Sequence, residues 1–111
     1  MPTASPGAGE LLSITVDTQH AVAARLVLPD APAACYVLAH GAGAGMDQAF
    51  MQAAAQGLAE RGVATLRFQF PYMQRGSRRP DPPPLCHATV RAAVAAAAQL
   101  TPGLPLFAGG R

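Results

Sequence analysis

Cys35-Tyr36-Val37-Leu38-Ala39 runs straight into His40-Gly41-Ala42-Gly43-Ala44-Gly45, and Met46-Asp47 then leads toward a helix. A short apolar run without polar alternation predicts a central strand covered on both faces. The glycines let the backbone turn sharply and leave its N–H groups uncovered. Helical spacing takes over from about Asp47 to Arg61. Asp47 can cap the N-terminus, and Gly62 can end the helix in the left-handed conformation. Phe50, Met51, Ala54, Ala55 and Leu58 fall on one face, which predicts packing on a sheet.

The flanking sequence keeps this rhythm. Leu11 to Val16 and Ala24 to Leu28 are β-rich runs around the polar turn Asp17-Thr18-Gln19-His20, as suits an antiparallel pair. Pro29 to Ala33 is a turn, and Val63 to Phe68 is the next strand. Pro71, followed by Arg79-Pro80-Asp81-Pro82-Pro83-Pro84, predicts a stiff, extended connection. A second helix is predicted from about Leu85 to Leu100, with Cys86, Val90, Ala93, Ala97 and Leu100 on one stripe. Thr101-Pro102-Gly103 stops it, and Leu104 to Ala108 is the last strand. The order β-β-β-α-β-α-β predicts right-handed crossovers and a mostly parallel sheet in a three-layer α/β arrangement. Residues 1–10 read as a mobile leader, and residues 11–111 as part of a single domain without internal repeats.

Half of the 111 residues are hydrophobic, which places the chain among globular proteins. All eight basic residues are Arg, and alanine is abundant. That bias goes with a GC-rich coding sequence and hence a bacterial source. The net charge of +2 signals no strongly charged partner. Arg75, Arg78 and Arg79 are the one basic cluster and read as a solvated loop. Nucleic-acid binding would need a basic face with aromatic platforms, so none is expected. The apolar stretch Ala92 to Ala98 is far short of the ~20 residues of a membrane span. No membrane association is expected. No secretory signal is visible, so the expectation is the cytoplasm with reduced thiols. Cys35 and Cys86 have no metal-ligand spacing and read as small packing residues. No metal or cofactor is expected.

Two motifs carry chemistry. A His-Gly-x-Gly turn after a strand can present a backbone N–H to the oxyanion of an acyl-transfer intermediate. G-x-G-x-x-G fails here because Met46 stands at the last glycine position, and a P-loop is excluded because the chain has no lysine. A nucleotide-binding α/β domain stays an alternative, in which Arg67 would meet a 2′-phosphate. The second motif is Pro105-Leu106-Phe107-Ala108 running into Gly109-Gly110-Arg111, the way a G-x-S-x-G turn begins, with the serine next. Ser5, Ser13 and Ser77 do not sit on a strand-to-helix elbow, so none reads as an activated nucleophile. His40 reads as a residue that orders its loop, because in this topology the base follows the nucleophile. His20 and His87 have no acidic partner at a telling spacing and receive no role.

Four segments together resemble a known family: Leu38 to Asp47, Leu66-Arg67-Phe68-Gln69-Phe70-Pro71-Tyr72-Met73, Arg79 to Pro84, and Gly109-Gly110-Arg111. They look like small bacterial α/β-hydrolases similar to dienelactone hydrolases and to the mammalian Tex-type and NSL-complex-subunit proteins. The resemblance covers about residues 11–111. It implies an incomplete α/β-hydrolase fold and a serine hydrolase with an ester-like small-molecule substrate. It makes the Ala42 N–H one oxyanion donor, within a loop that includes His40, Gly41 and Gly43. It makes Gly110 and Arg111 the start of the nucleophile elbow. The serine, the acid and the histidine base would then lie beyond Arg111. On that reading the chain is an N-terminal fragment with no catalytic residue of its own, inactive alone and liable to self-associate. A non-catalytic interaction module on the same scaffold is the alternative.

Overall fold

The computed structural model describes residues 9–41, 45–77 and 79–110. Strands β1 (Glu10–Thr15), β2 (Ala21–Val27) and β3 (Ala34–Ala39) come first, then helix α1 (Ala49–Glu60) and β4 (Val63–Phe68). Helices α2 (Pro71–Gln74) and α3 (Pro83–Leu100) follow, and β5 (Leu106–Gly110) completes the order. The five-stranded sheet has the order β1-β2-β4-β3-β5. Strand β2 is antiparallel to both β1 and β4, whereas β3 is parallel to both β4 and β5.

Alternation along the strands gives the sheet two faces. Val22, Ala24 and Leu26 of β2, Cys35 and Val37 of β3, and Ala64, Leu66 and Phe68 of β4 form one buried cluster with Ala93 and Ala97 of α3. The intervening residues Tyr36 and Leu38 face the opposite side, beside Met51, Ala54 and Leu58 of α1. The result is a three-layer α/β sandwich.

Several elements differ from the sequence expectation, each for a local reason. Gln48, not Asp47, caps α1, its Oε1 accepting from the Phe50 N–H at 3.1 Å. Asp47 instead accepts from Arg25 Nε at 2.6 Å, so ion pairing across to β2 takes the carboxylate away from the helix. Gly62, at φ +78°, follows the helix as predicted. On the predicted apolar face of α1 only Met51 and Ala55 are fully buried, and Phe50 is 52% exposed. The helix packs over β4 and β2 and leaves the β3–β5 side of this face open. The proline-rich connection is not extended throughout. Pro71 opens the helical turn α2, and Pro83 and Pro84 lie in the first turn of α3, where the missing N–H is no loss.

The last strand starts later than predicted. Leu104 is held in the turn by its N–H bond to the Thr101 carbonyl, and pairing with β3 begins at the Pro105 carbonyl, which accepts from the Cys35 N–H. Gly109 and Gly110 therefore belong to β5. On α3 the buried stripe is Thr89, Ala93 and Ala97, with Cys86 half-buried and Leu100 exposed. Thr89 fits there because its hydroxyl donates to the Leu85 carbonyl at 2.8 Å. Glu10 belongs to β1, so the segment before the sheet is shorter than expected.

Two polar assignments also change. His20 does have an acidic partner: its Nδ1 lies 2.9 Å from Asp17 Oδ1, which also accepts from the Gln19 N–H. Together they close the β1–β2 turn, and these bonds hold the Asp17 carboxyl below its ordinary value, the Gln19 N–H most of all. Arg75 is not simply solvated, because its Nη2 donates to the buried Asp81 carboxylate at 3.1 Å. The other Asp81 oxygen accepts from the Tyr72 N–H and ties α2 to the start of α3. Arg79 is exposed, and Arg78 lies outside the described residues.

Phe68 is 1% exposed and packs edge-on to Phe70 within the core. Phe68→Ala should cost about 3–5 kcal/mol. The exposed Leu11→Ala should stay within about 0.5 kcal/mol. Urea unfolding of the two variants beside the parent chain checks both.

Candidate functional site

The three parallel strands end level. Ala39 of β3 stands opposite Phe68 of β4 on one side and Gly110 of β5 on the other. His40 and Gly41 after β3, the Gln69-Phe70 exit of β4 and the end of β5 therefore lie at the same end of the sheet. The chain leaves β3 toward β4 through α1, and β5 is added on the opposite side of β3. Strand order reverses at β3, and in open α/β sheets the crevice for a ligand forms at such a point, outside the carboxyl ends of the strands.

His40 follows β3 and is 4% exposed. Its Nδ1 lies 2.9 Å from the Gly41 carbonyl, and its Nε2 lies 3.0 Å from the Phe70 N–H. The Phe70 N–H can only donate, so Nε2 accepts and the proton sits on Nδ1. Phe70 and Tyr72 lie edge-on to the ring, at 5.0 and 5.9 Å. Burial holds the imidazole below its ordinary value of 6.5, against the opposing effect of the Gly41 bond. Both ring nitrogens are thus taken by backbone groups, and the ring ties the start of the loop to the exit of β4.

The far end of the loop is held by a different side chain. Gln69 Oε1 accepts from the Met46 N–H at 2.8 Å. A Cβ on Gly45 would come to 2.8 Å from that same oxygen, so a side chain there would make the Gln69 amide shift. The Gln69 backbone is anchored in turn, its N–H donating to the Ala23 carbonyl of β2 at 2.9 Å. At the end of β5, a Cβ on Gly110 would lie 2.8 Å from the Ala39 carbonyl oxygen. Glycine lets β3 and β5 run side by side to their ends. Ala42, Gly43 and Arg111 lie outside the described residues.

Arg67 does not serve the nucleotide alternative. It has no exposed surface, and a phosphate cannot reach it. It stands beside Arg25 on the neighbouring strand. Burial pushes its guanidinium below the ordinary range, and the Asp47 charge acts in the opposite sense. Sequence reasoning missed both Asp47 as an ion-pair partner and Gln69 as a loop contact. The available signal for Gln69 was a lone amide between Phe68 and Phe70, where an apolar residue would serve packing alone.

Cys35 is buried and Cys86 half-buried, and burial pushes both thiols up. Among the described residues no group of three or more His, Cys, Asp or Glu could hold a metal ion. No described helix is long and apolar enough to cross a membrane. On the α1 side, a trough of about 540 Å³ lies beside β3 and β5, lined among others by Tyr36, Leu38, Ala54, Leu58 and Gly110.

The fold built from these strands and helices has counterparts among known proteins. The chain belongs to the α/β hydrolase domain family, whose model matches residues 32–111. Its structure is similar to that of a dienelactone hydrolase from Anabaena variabilis, at 20% identity and a TM-score of 0.75, covering 91% of this chain and 50% of that one. An α/β serine hydrolase homologue from Coxiella burnetii is similar at 17% identity and a TM-score of 0.75, with the same coverage of 91% and 50%. An α/β serine hydrolase without a lid from Xanthomonas campestris is similar at 20% identity and a TM-score of 0.72, covering 99% of this chain and 51% of that one. At these identities the likeness is one of fold. The chain spans about half the length of these structures. No curated protein matches it by sequence.

The neutral, buried His40 makes stability depend on pH. Its pKa is lowered on folding, so as pH falls the unfolded chain takes up the proton first. This contribution is present above the ordinary value of 6.5 and is lost as pH falls from there through the lower folded value. Urea midpoints measured between neutral and mildly acidic pH should therefore decline. The decline should be shallower in His40→Asn, which keeps a donor and an acceptor but does not titrate.

Proposed function

We propose that this chain supplies the oxyanion side of a serine hydrolase acting on ester-like bonds of a small molecule. The observation that carries the reading is the level finish of β3 and β5, Ala39 beside Gly110, with His40 the next residue after β3. In acyl transfer the nucleophile and the oxyanion donors must flank the same carbonyl. On this reading Gly110 and Arg111 lead into the nucleophile elbow, and the loop His40-Gly41-Ala42-Gly43 faces it, with the Ala42 N–H as one donor.

The rest of the constellation belongs to polypeptide following Arg111 in a longer protein. The support is that the chain spans about half of the structures it is similar to. The apolar trough beside Tyr36 and Leu38 would be covered by that second half. A serine there adds its oxygen to the substrate carbonyl carbon and passes its proton to a histidine. The carbonyl oxygen becomes the oxyanion and accepts from the Ala42 N–H. Collapse breaks the bond to the leaving alcohol, which takes the proton, and water then releases the acid. The role of His40 in this scheme is to hold the loop, since a neutral imidazole with both nitrogens engaged has no site for a transferred proton. The free thiols of Cys35 and Cys86 fit a reducing, cytoplasmic setting.

The 111-residue chain itself should not turn over p-nitrophenyl acetate, nor should a fluorophosphonate probe label Ser5, Ser13 or Ser77 at an enzymatic rate. The coding sequence should continue with a serine codon directly after Arg111. A different residue in an otherwise continuous hydrolase sequence would favour the non-catalytic module.

In the longer protein, Ala42→Pro removes the donor N–H and should lower kcat roughly 10²–10³-fold. Ala42→Ser keeps that N–H and should be milder. Equal turnover by the proline variant and the parent enzyme, both folded, would take Ala42 out of the mechanism.

A further inference from the structure

We propose that Gln69 is a positioning residue that clamps the glycine loop, pinning its C-terminal root as His40 pins its N-terminal root. The use of the clamp rests on the serine-hydrolase reading, whereas its geometry does not.

Both ties run to consecutive residues at the exit of β4. The Phe70 N–H donates to His40 Nε2, and Gln69 Oε1 accepts from the Met46 N–H. That exit is a firm anchor. Strand β4 is paired on both sides, with β2 and with β3. The Gln69 N–H is bonded to the Ala23 carbonyl, and the Ala23 N–H in turn donates to Gln74 Oε1 at the end of α2. The Phe70 carbonyl accepts from the Met73 and Gln74 N–H groups, so α2 starts on the same residue. His40 and Met46, on either side of the glycine loop, are thus both tied to one rigid element.

The chemistry explains why the second point is an amide. Gln69 is half-buried between Phe68 and Phe70, and an apolar side chain in its place could not accept the Met46 hydrogen bond. Gly45 completes the arrangement, because any side chain there would crowd Oε1. An oxyanion donor stabilises a transition state only if it is already aimed when charge develops. A glycine-rich segment is the least able to hold such an aim by itself, since glycine has the most conformational freedom to lose. Pinning both roots removes much of that freedom in advance.

The test is hydrogen exchange resolved to single amides on the 111-residue chain, at concentrations low enough to limit association. Gln69→Met keeps the length and removes the acceptor, and Gln69→Glu keeps an acceptor. Gly45→Ala displaces the amide without altering it. The Met46 amide should exchange roughly 5–10-fold faster in Gln69→Met and in Gly45→Ala, the change expected from loss of one net hydrogen bond, and near the parent rate in Gln69→Glu. The Leu66 amide within β4 should be unchanged and reports that the fold is intact. Unchanged Met46 exchange in Gln69→Met overturns the clamp, as does a Gln69→Glu variant as fast as Gln69→Met. If Gln69→Met loses Leu66 protection, Gln69→Leu, which also lacks an acceptor, decides, and an unaffected Met46 amide there overturns the clamp equally.

In the hydrolase carrying the residues after Arg111, Gln69→Met should lower kcat about 10-fold with KM unchanged, less than the loss of a whole donor, and Gln69→Glu should recover it. A loosened loop with full kcat overturns the positioning role. A parent protein without hydrolase activity overturns the functional reading instead, and the exchange result still decides the clamp.

Discussion

Strand β3 is hydrogen-bonded in parallel on both sides, and its register determines where the ends of its neighbours β4 and β5 lie. With Ala39 opposite Phe68 and Gly110, the chain emerges from three strands at one height. A slip of two residues would move a neighbour by roughly 7 Å, and His40 could no longer reach the Phe70 N–H. A slip of one residue would invert the faces and bring Thr65 and Arg67 of β4 into the apolar layer under α3. The two faces are therefore unlike for a reason. Their contrast makes every register but the observed one costly, and the site inherits its geometry from that constraint.

The face toward α1 carries the polar load. Arg67 is fully buried there, with Arg25 on the adjacent strand. A buried charge is tolerated only when other groups compensate it. Asp47 bonds Arg25 directly and its charge favours the charged form of Arg67. The junction between the glycine loop and α1 is thereby attached to β2 and β4 by electrostatics. Three side chains, His40, Gln69 and Asp47, connect the segment from His40 to Asp47 to the middle of the sheet. They do so in three ways: an imidazole bridging two backbone groups, an amide and a carboxylate.

Much of the fold was legible in local sequence. The apolar run before His40, the bounds of β4 and the left-handed Gly62 all follow from residues close to one another in the chain. What escaped depends on distant partners. Asp47 is a sound helix cap until Arg25 is placed beside it. Leu104 suits a strand until the turn at Thr101 holds its N–H. Pro71 and Pro83 suggest extended chain, yet the same fixed φ suits a first helical turn, and only packing selects between them. At the candidate site, His40 stood out because a histidine before glycines is rare chemistry in a plain turn. Gln69 did not, because its meaning lies in an N–H that is 23 residues earlier in the chain. Arg67 was misjudged since sequence gives a charge but not its depth.

The two margins of the sheet are not alike. Strand β1 opens on the charged Glu10 and carries Ser13 and Thr15, polar groups that discourage a further strand from joining. Strand β5 runs Leu106-Phe107-Ala108-Gly109-Gly110 without a charge, and Phe107 stands 56% exposed on it. Leu11 is similarly exposed on β1, at 59%, so the two borders differ in charge and not in apolar exposure. A strand joining on the β5 side would meet no charged side chain of β5. Growth in that direction moves β3 from near the margin toward the middle of the sheet.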